Sequence, residues 1–208
     1  MISYTRNFED VMLVRALRHI ADGFYVDIGA SHPVSDSNTF ALYGLGWRGV
    51  AIEPQTIFND EWSKQRPEDL LVNAVIAQTD GEVTLFKPVD YGQGATINAD
   101  YVRDYMQRGL AMSEHIVPMH TLTAVLDHLA LAGRAASDIH LLSIDVEGAE
   151  KDVLRGLDWT RYHPWLVVLE KYSAWCADAE LRGLGAIFVG ARLRVCLLRC
   201  CESLLCFQ

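Results

Sequence analysis

Two spacings of apolar residues alternate along the chain, and together they predict an α/β fold. Leu13, Ala16, Leu17 and Ile20 recur on one face of a helix predicted from Phe8 to about Ile20, with Asn7 as its cap and Asp10 in its first turn. Phe24 to Ile28 is a short aromatic and β-branched run, the composition of a buried strand. Gly29 follows at once, where the chain must turn sharply, and Ser35 or Asp36 is placed to cap a helix beginning Ser37-Asn38-Thr39-Phe40. Gly49 to Glu53 reads as the second strand, Pro54 breaks it, and a helix follows around Phe58 to Gln65. Leu70 to Val75 is the third strand. Thr79-Asp80-Gly81 signals a turn, and Glu82 to Phe86 alternates as a hairpin partner should. Residues 87–117 carry the weakest pattern and read as a lid or substrate loop. Thr121 caps a helix through Leu129. Asp138 to Asp145 is the fourth strand, Val146 to Gly148 turns into a helix from Ala149 to Arg155 ended by Gly156, and Trp165 to Glu170 is the fifth strand. Five strands with intervening helices predict one mostly parallel, twisted sheet with helices on both faces. Ala186 to Val189 and Leu193 to Leu198 predict an antiparallel hairpin closing it. There is no linker, repeat or low-complexity tract, so residues 1–208 read as one domain.

Composition narrows the setting. The chain has 208 residues, half of them hydrophobic, but no run approaches the ~18 apolar residues of a membrane span. The segment beginning Met1-Ile2-Ser3-Tyr4 has no apolar h-region, so it does not read as a signal peptide. A net charge of −9 argues against nucleic acid, whose affinity comes from Lys and Arg on phosphates, and against an anionic membrane surface. All five cysteines lie at Cys176 or later. They have neither C-x-x-C spacing nor an even count, which predicts a reducing, cytoplasmic setting without disulfides. The same tail gathers Arg182, Arg192, Arg194 and Arg199 while acids thin out. We therefore expect the segment from about residue 176 to be a non-native ending, read in a shifted frame.

Strand, glycine turn and helix make a nucleotide pocket at the carboxyl end of a strand, and an acid ending the next strand suits the hydroxyls of a ribose. Glu53 is that acid, 24 residues past Gly29. A dinucleotide fingerprint needs G-x-G-x-x-G, whereas this turn reads Asp27-Ile28-Gly29-Ala30-Ser31-His32-Pro33, with one of those glycines. Asp27 would also repel phosphates. A cationic ligand without phosphate fits better, and S-adenosyl-L-methionine, with its sulfonium, ammonium and ribose, is such a ligand. A nicotinamide-dependent oxidoreductase is the disfavoured alternative.

The stretch from Phe24 to Pro54 resembles the FkbM-type methyltransferases, as does Leu141 to Trp159 with its Asp145-Val146-Glu147-Gly148-Ala149-Glu150 turn. The resemblance extends to residues 3–17 and 117–127 and spans roughly residues 3–170. It implies a class I, Rossmann-like S-adenosylmethionine-dependent methyltransferase acting on the hydroxyl oxygen of a sugar, glycan or natural product. It brings Glu9 and Asp10 near the cofactor pocket, although each singly reads as part of a plain edge helix. The expected cofactor-binding residues are Asp27, Gly29, Ala30, Ser31, Glu53, Asn73 and Ala74. The expected catalytic residues are Asp145, Glu147 and His32. Methyl transfer is an in-line displacement, and an alcohol needs a base within reach of its proton. Asp145 ends a strand at the cleft, Glu147 lies in the following turn, and His32 is able to take a proton near neutral pH. Glu150 has a helix-dipole explanation. No metal is expected. The family usually has a lysine where Ser143 stands, so a non-catalytic, cofactor-binding member is the second alternative.

Overall fold

The computed structural model describes residues 2–90, 92–133 and 138–169, and the backbone of 170, 186–188 and 195–199. After α1 (Glu9–Ala16), the chain runs β1 (Phe24–Ile28), α2 (Phe40–Gly44), β2 (Arg48–Ile52), a short 3-10 turn (Thr56–Phe58), α3 (Asn59–Gln65) and β3 (Leu70–Val72). A second group follows: β4 (Val75–Ile76), β5 (Gly81–Pro88), α4 (Ala99–Gln107) and β6 (Met112–His120). Then come α5 (Leu122–Leu131), β7 (Leu141–Ile144), α6 (Glu150–Arg155), β8 (Leu166–Glu170), β9 (Ala186–Phe188) and β10 (Val195–Arg199).

The main sheet has the order β3-β2-β1-β7-β8-β10-β9. Its first five strands are parallel. The expected closing hairpin is present: β10 runs antiparallel to β8 and to β9, from Val195 opposite Glu170 to Arg199 opposite Leu166. The tail's side chains, and with them the expected shift of reading frame, lie outside the described residues. Strand order reverses between β1 and β7, so the crevice of this α/β sheet opens at their carboxyl ends.

Both faces of the sheet are covered, which is why its strands read as apolar runs rather than alternating ones. Val26 and Ile28 of β1 join Val50, Ile52, Leu142 and Ile144 in a core against α5 and α6. Tyr25, one residue out of phase, packs with Leu13, Leu42 and Trp47 beneath α1 and α2. Among the described residues no helix is long and apolar enough to cross a membrane.

Several boundaries differ from expectation. Asn7 does not cap α1: Phe8 takes that place at φ 63° without a side-chain cap, and the Asn7 amide donates to Glu9 instead. Neither Ser35 nor Asp36 caps α2, which starts at Phe40, after Thr39. Thr121 caps α5 as expected, accepting from the Ala124 N–H. The expected third strand is two pieces in different sheets, because the chain leaves the main sheet after Val72 and β4 pairs in parallel with β6. The partner of β5 is also β6, antiparallel from Gly81 opposite Met119 to Pro88 opposite Met112. Residues 112–117 are therefore strand, not loop. Their pattern is weak because most of β6 is exposed or half-buried, so no apolar period marks it. Only the stretch between β5 and β6, residues 89–111 with α4, is an insert.

A buried polar network ties the Tyr25 face together. Arg66 is 1 % exposed. Its Nε donates to Asp69 at 2.7 Å, and its Nη2 donates to the Tyr25 hydroxyl at 2.6 Å and Thr39 Oγ1 at 2.9 Å. The guanidinium lies 4.3 Å from the Trp62 ring centroid. Asp69 also accepts from the Gly49 N–H and the Tyr25 hydroxyl.

Candidate active site

The sheet's reversal point opens into a cavity of about 560 Å³. Its floor is the Gly29 turn. Gly29 has φ +74°, and a Cβ there would lie 1.8 Å from the Asp145 carbonyl oxygen. The turn is fixed by its neighbours: the Gly29 and Ala30 N–H groups donate to the Ile52 carbonyl, and the Asp145 N–H donates to the Ile28 carbonyl. The ends of β1, β2 and β7 thus meet at one glycine.

Glu53 follows β2 and is 3 % exposed. Its two oxygens accept from the N–H of Ser31 at 2.9 Å and of Gln55 at 2.8 Å. Burial pushes its carboxyl above the ordinary range, and those two N–H groups oppose the shift. Ser31 is held at φ 48°, and its carbonyl accepts from Trp62 Nε1 at 2.8 Å. Trp62 in turn stacks on Arg66, so the buried network supports the turn that grips Glu53. Ser31 Oγ and Gln55 Oε1 are buried without a hydrogen-bond partner, and both residues line the cavity.

Among the described residues five carboxylates line the cavity, Glu9, Asp36, Glu53, Asp145 and Glu147, and Arg6 is the one lysine or arginine. Glu147 has φ 51°, and its Oε2 accepts from the Tyr105 hydroxyl at 3.2 Å. The insert docks on this turn through Thr96, which donates to the Glu147 carbonyl, and Asn98, which donates to the Gly148 carbonyl, each at 2.8 Å. On the opposite rim Arg6 bridges Asp36 and Gln93. The expected lid is thus the shorter segment 89–111, and it forms one wall. Gly148 is where it rests closest: φ is +98°, and a Cβ would meet the Tyr101 ring at 2.5 Å. Gly148→Ala is expected to dislodge α4 and to speed proteolytic cleavage within residues 89–111 severalfold. Unchanged cleavage would show that the insert does not depend on this contact.

The structure brings Gly29, Ser31, Glu53, Asp145 and Glu147 to the cavity and leaves the other expected residues behind its walls. Asp27 alternates with the cavity-side Ile28. It is 4 % exposed and accepts from Thr39 Oγ1 at 2.6 Å and from Ser143. Burial pushes its carboxyl up. Ser143 lies directly across from it on β7 and accepts from Asn38, a lining residue. Where the resemblance leads to the expectation of a lysine, a neutral hydroxyl donates to the Asp27 carboxyl. Ala30 and Ala74 are buried. Asn73 exchanges hydrogen bonds with Asn59 and donates to the Glu53 carbonyl, so it braces β2, while Val75 and Ile76 form the wall. His32 Nδ1 accepts from the N–H groups of Val34 and Ser35, which leaves its proton on Nε2, and the ring meets Phe58 edge-on. It stabilises its own loop. Glu150 accepts from the Gly148 N–H.

Glu9 lines the cavity, and Asp10 explains how. Asp10 is fully buried and accepts from Ser3 Oγ, the Tyr4 N–H and Thr5 Oγ1, which pins Thr5 and Arg6 over the cavity. The available signal was a pair of acids opening a helix just after a Ser-x-Thr. Sequence reasoning missed Gln55 and Asn38 altogether. Among the described residues no cluster of three or more His, Cys, Asp or Glu has the arrangement of a metal site.

The family model for the methyltransferase FkbM domain matches residues 27–186, from near the end of β1 to the start of β9. No curated protein matches the chain. The match takes in the Gly29 turn, Glu53 and the Asp145-to-Glu150 turn, which build much of the cavity, and by it the chain belongs to the FkbM methyltransferase-domain family.

Proposed function

We propose that this protein transfers a methyl group from S-adenosyl-L-methionine to a hydroxyl of a sugar, glycan or natural-product acceptor in the cytoplasm. The observation that carries the reading is Glu53: a carboxylate buried at a strand end, gripped by two backbone N–H groups and lining a cavity. A group so desolvated is stabilised when a ligand donates to it. A ribose diol supplies two donors. Ser31 Oγ and Gln55 Oε1 beside it are likewise buried, without a hydrogen-bond partner. The excess of carboxylates suits a ligand carrying a sulfonium and an ammonium.

When bound, the cofactor supplies an electrophilic methyl group. The chain's own residues then have three tasks. The Gly29 turn and Glu53 fix the ribose end. The insert, seated on Glu147 and Gly148, excludes water from one side. Asp145 and Glu147 place carboxylates at the end of β7, where one of them removes the acceptor's proton during in-line attack. Tyr105 orients Glu147 for that role.

Titration calorimetry with S-adenosyl-L-methionine tests the reading. The wild type is expected to bind, and Glu53→Ala to bind about ten- to a hundredfold more weakly, the usual cost of losing a charge-assisted hydrogen bond. Affinity is fully present while Glu53 is ionised and is lost as pH falls through its raised pKa. The decline therefore starts at higher pH than for an ordinary carboxylate. No heat at millimolar cofactor would sink the proposal.

A further inference from the structure

Three side chains from three separate segments meet over the cavity. Arg6, in the segment that leads into α1, donates from Nε and Nη2 to the two oxygens of Asp36, at 3.2 and 2.8 Å. Its Nη2 also donates to Gln93 Oε1 at 3.2 Å, and Gln93 Nε2 donates to Asp36 Oδ2 at 3.4 Å. All three residues line the cavity. Yet the Arg6 and Asp36 side chains are 73 % and 36 % exposed, so the triad stands where the cavity meets solvent. The walls on either side of it are held more firmly. Buried Asp10 pins Ser3, Tyr4 and Thr5, and the Tyr4 ring meets Phe40 edge-on at 4.7 Å. The base of the insert is fixed at Thr96, which exchanges two backbone hydrogen bonds with Phe86 and donates to the Glu147 carbonyl. Between these anchors Gln93 has a glycine on each side, Gly92 and Gly94, and Gly94 has φ +82°. Glycines absorb a backbone rotation that other residues resist.

We propose that Arg6, Asp36 and Gln93 form the latch of a gate: residues 92–94, the tip of the insert, swing off Arg6 and Asp36 to admit the cofactor and release its spent product, and latch again to keep water out. This rests on the cofactor reading above. The location follows from relative strengths. An exposed ion pair contributes little to stability and is screened by salt, whereas the Asp10 cluster is buried and the Thr96 contacts include paired backbone bonds. The segment with the fewest buried contacts opens first, and here that segment spans the cavity's border with solvent. A weak latch suits the task. It must release once for each cofactor bound and once for each product lost, and a closed wall during transfer excludes water from the methyl group. The latch also pairs the cavity's one described lysine or arginine with a carboxylate, so it closes without placing an uncompensated positive charge over a cationic ligand.

The test is the exchange kinetics of S-adenosylhomocysteine, followed by surface plasmon resonance on the wild type, Arg6→Gln and Gln93→Ala. This ligand lacks the sulfonium, and its ammonium and carboxylate cancel, so salt acts mainly on the latch. Each variant is expected to raise the association and dissociation rates together by about three- to fivefold, because the latch stabilises the closed form with and without ligand. That factor corresponds to about 0.6–1 kcal/mol. Kd then stays within about twofold of the wild type, since it is the ratio of the two rates. The double variant is expected to exchange no faster than the quicker single one, because both substitutions break one network. Raising salt from about 50 mM to about 500 mM is expected to speed exchange in the wild type and not in Arg6→Gln. Faster dissociation with association unchanged overturns the gate, because it marks side chains that hold the ligand rather than admit it. Rates that neither variant nor salt alters overturn it as well, and show that the ligand passes elsewhere. Both of those results leave the cofactor reading intact, since the wild type binds. Failure of the wild type to bind overturns the cofactor reading, and the gate with it.

Discussion

Replacing Arg66 with methionine is expected to lower stability by about 3–5 kcal/mol, the cost of breaking a buried ion pair on one side only. Arg66 and Asp69 form a 2.7 Å pair in which both side chains are fully buried. Without the guanidinium, Asp69 keeps its negative charge among Tyr25, Gly49 and no cation of the pair. Thr39 and Ser37 lose a donor each, and Trp62 loses the cation on its ring. Against a typical total of about 5–15 kcal/mol, that is a large fraction. Urea denaturation monitored by fluorescence measures it. Adding Asp69→Asn to the variant is expected to recover part of the loss, because the penalty is mainly the stranded charge. A loss under about 1 kcal/mol would mean that the network contributes little and that water reaches Asp69 readily. The effect also reaches the site. Trp62 holds the Ser31 carbonyl, and the Ser31 N–H holds Glu53, so cofactor affinity is expected to fall although Arg66 does not line the cavity.

Gly29→Ala is expected to be as severe, for a different reason. Two penalties add at one atom. A left-handed backbone costs a residue with a Cβ roughly 1–2 kcal/mol, and overpacking a rigid site adds typically about 1–3 kcal/mol. The obstacle is the Asp145 carbonyl oxygen at 1.8 Å. It is backbone at the end of a central strand and cannot rotate aside as a side chain does. The ends of β1 and β7 must separate, taking Asp145 away from the cavity floor. Gly109→Ala is the control. Its φ is +84°, and nothing lies within 4 Å of the added methyl, so it carries only the backbone penalty. The difference between the two variants in thermal or denaturant unfolding isolates the steric part. Gly29→Ala is expected also to abolish cofactor binding, while Gly109→Ala keeps it. Equal losses for the two would show that the β1–β7 approach is looser than these distances imply.

The parts of the site that were legible in the sequence are those written in a local code. An apolar run followed at once by glycine marks a strand that ends at a close backbone approach, and the collision at Gly29 is that approach. An acid at the end of the next strand was the expected ribose partner, and Glu53 lies in the cavity wall. The turn Asp145 to Glu150 was legible through its resemblance to one family, and the match over residues 27–186 includes it. Asp27 was harder. Alternation puts it on the opposite side of β1 from Val26 and Ile28, but both faces of this sheet are buried. Local pattern alone does not say which face borders the cavity. The answer came from Thr39 and Ser143, which take its carboxyl into a buried cluster.

By itself, then, the chain's order of residues determined the α/β class, the five parallel strands, the glycine turn and the acid that follows it. Each depends on a period or a bond geometry that a few consecutive residues express. Tertiary structure alone decided four things. It paired β5 with β6, whose exposed face hides any apolar period. It brought Arg66 to Tyr25, 41 positions apart, and Asp10 to Ser3 and Thr5, which folds Glu9 into the cavity wall. It placed the Gly92 carbonyl beside Gln55 and so left the side-chain oxygen buried without a partner. These are choices of partner across distance. A buried polar group must find some partner or be costly, but which partner is set by how the layers pack, and no local pattern in the residues records it.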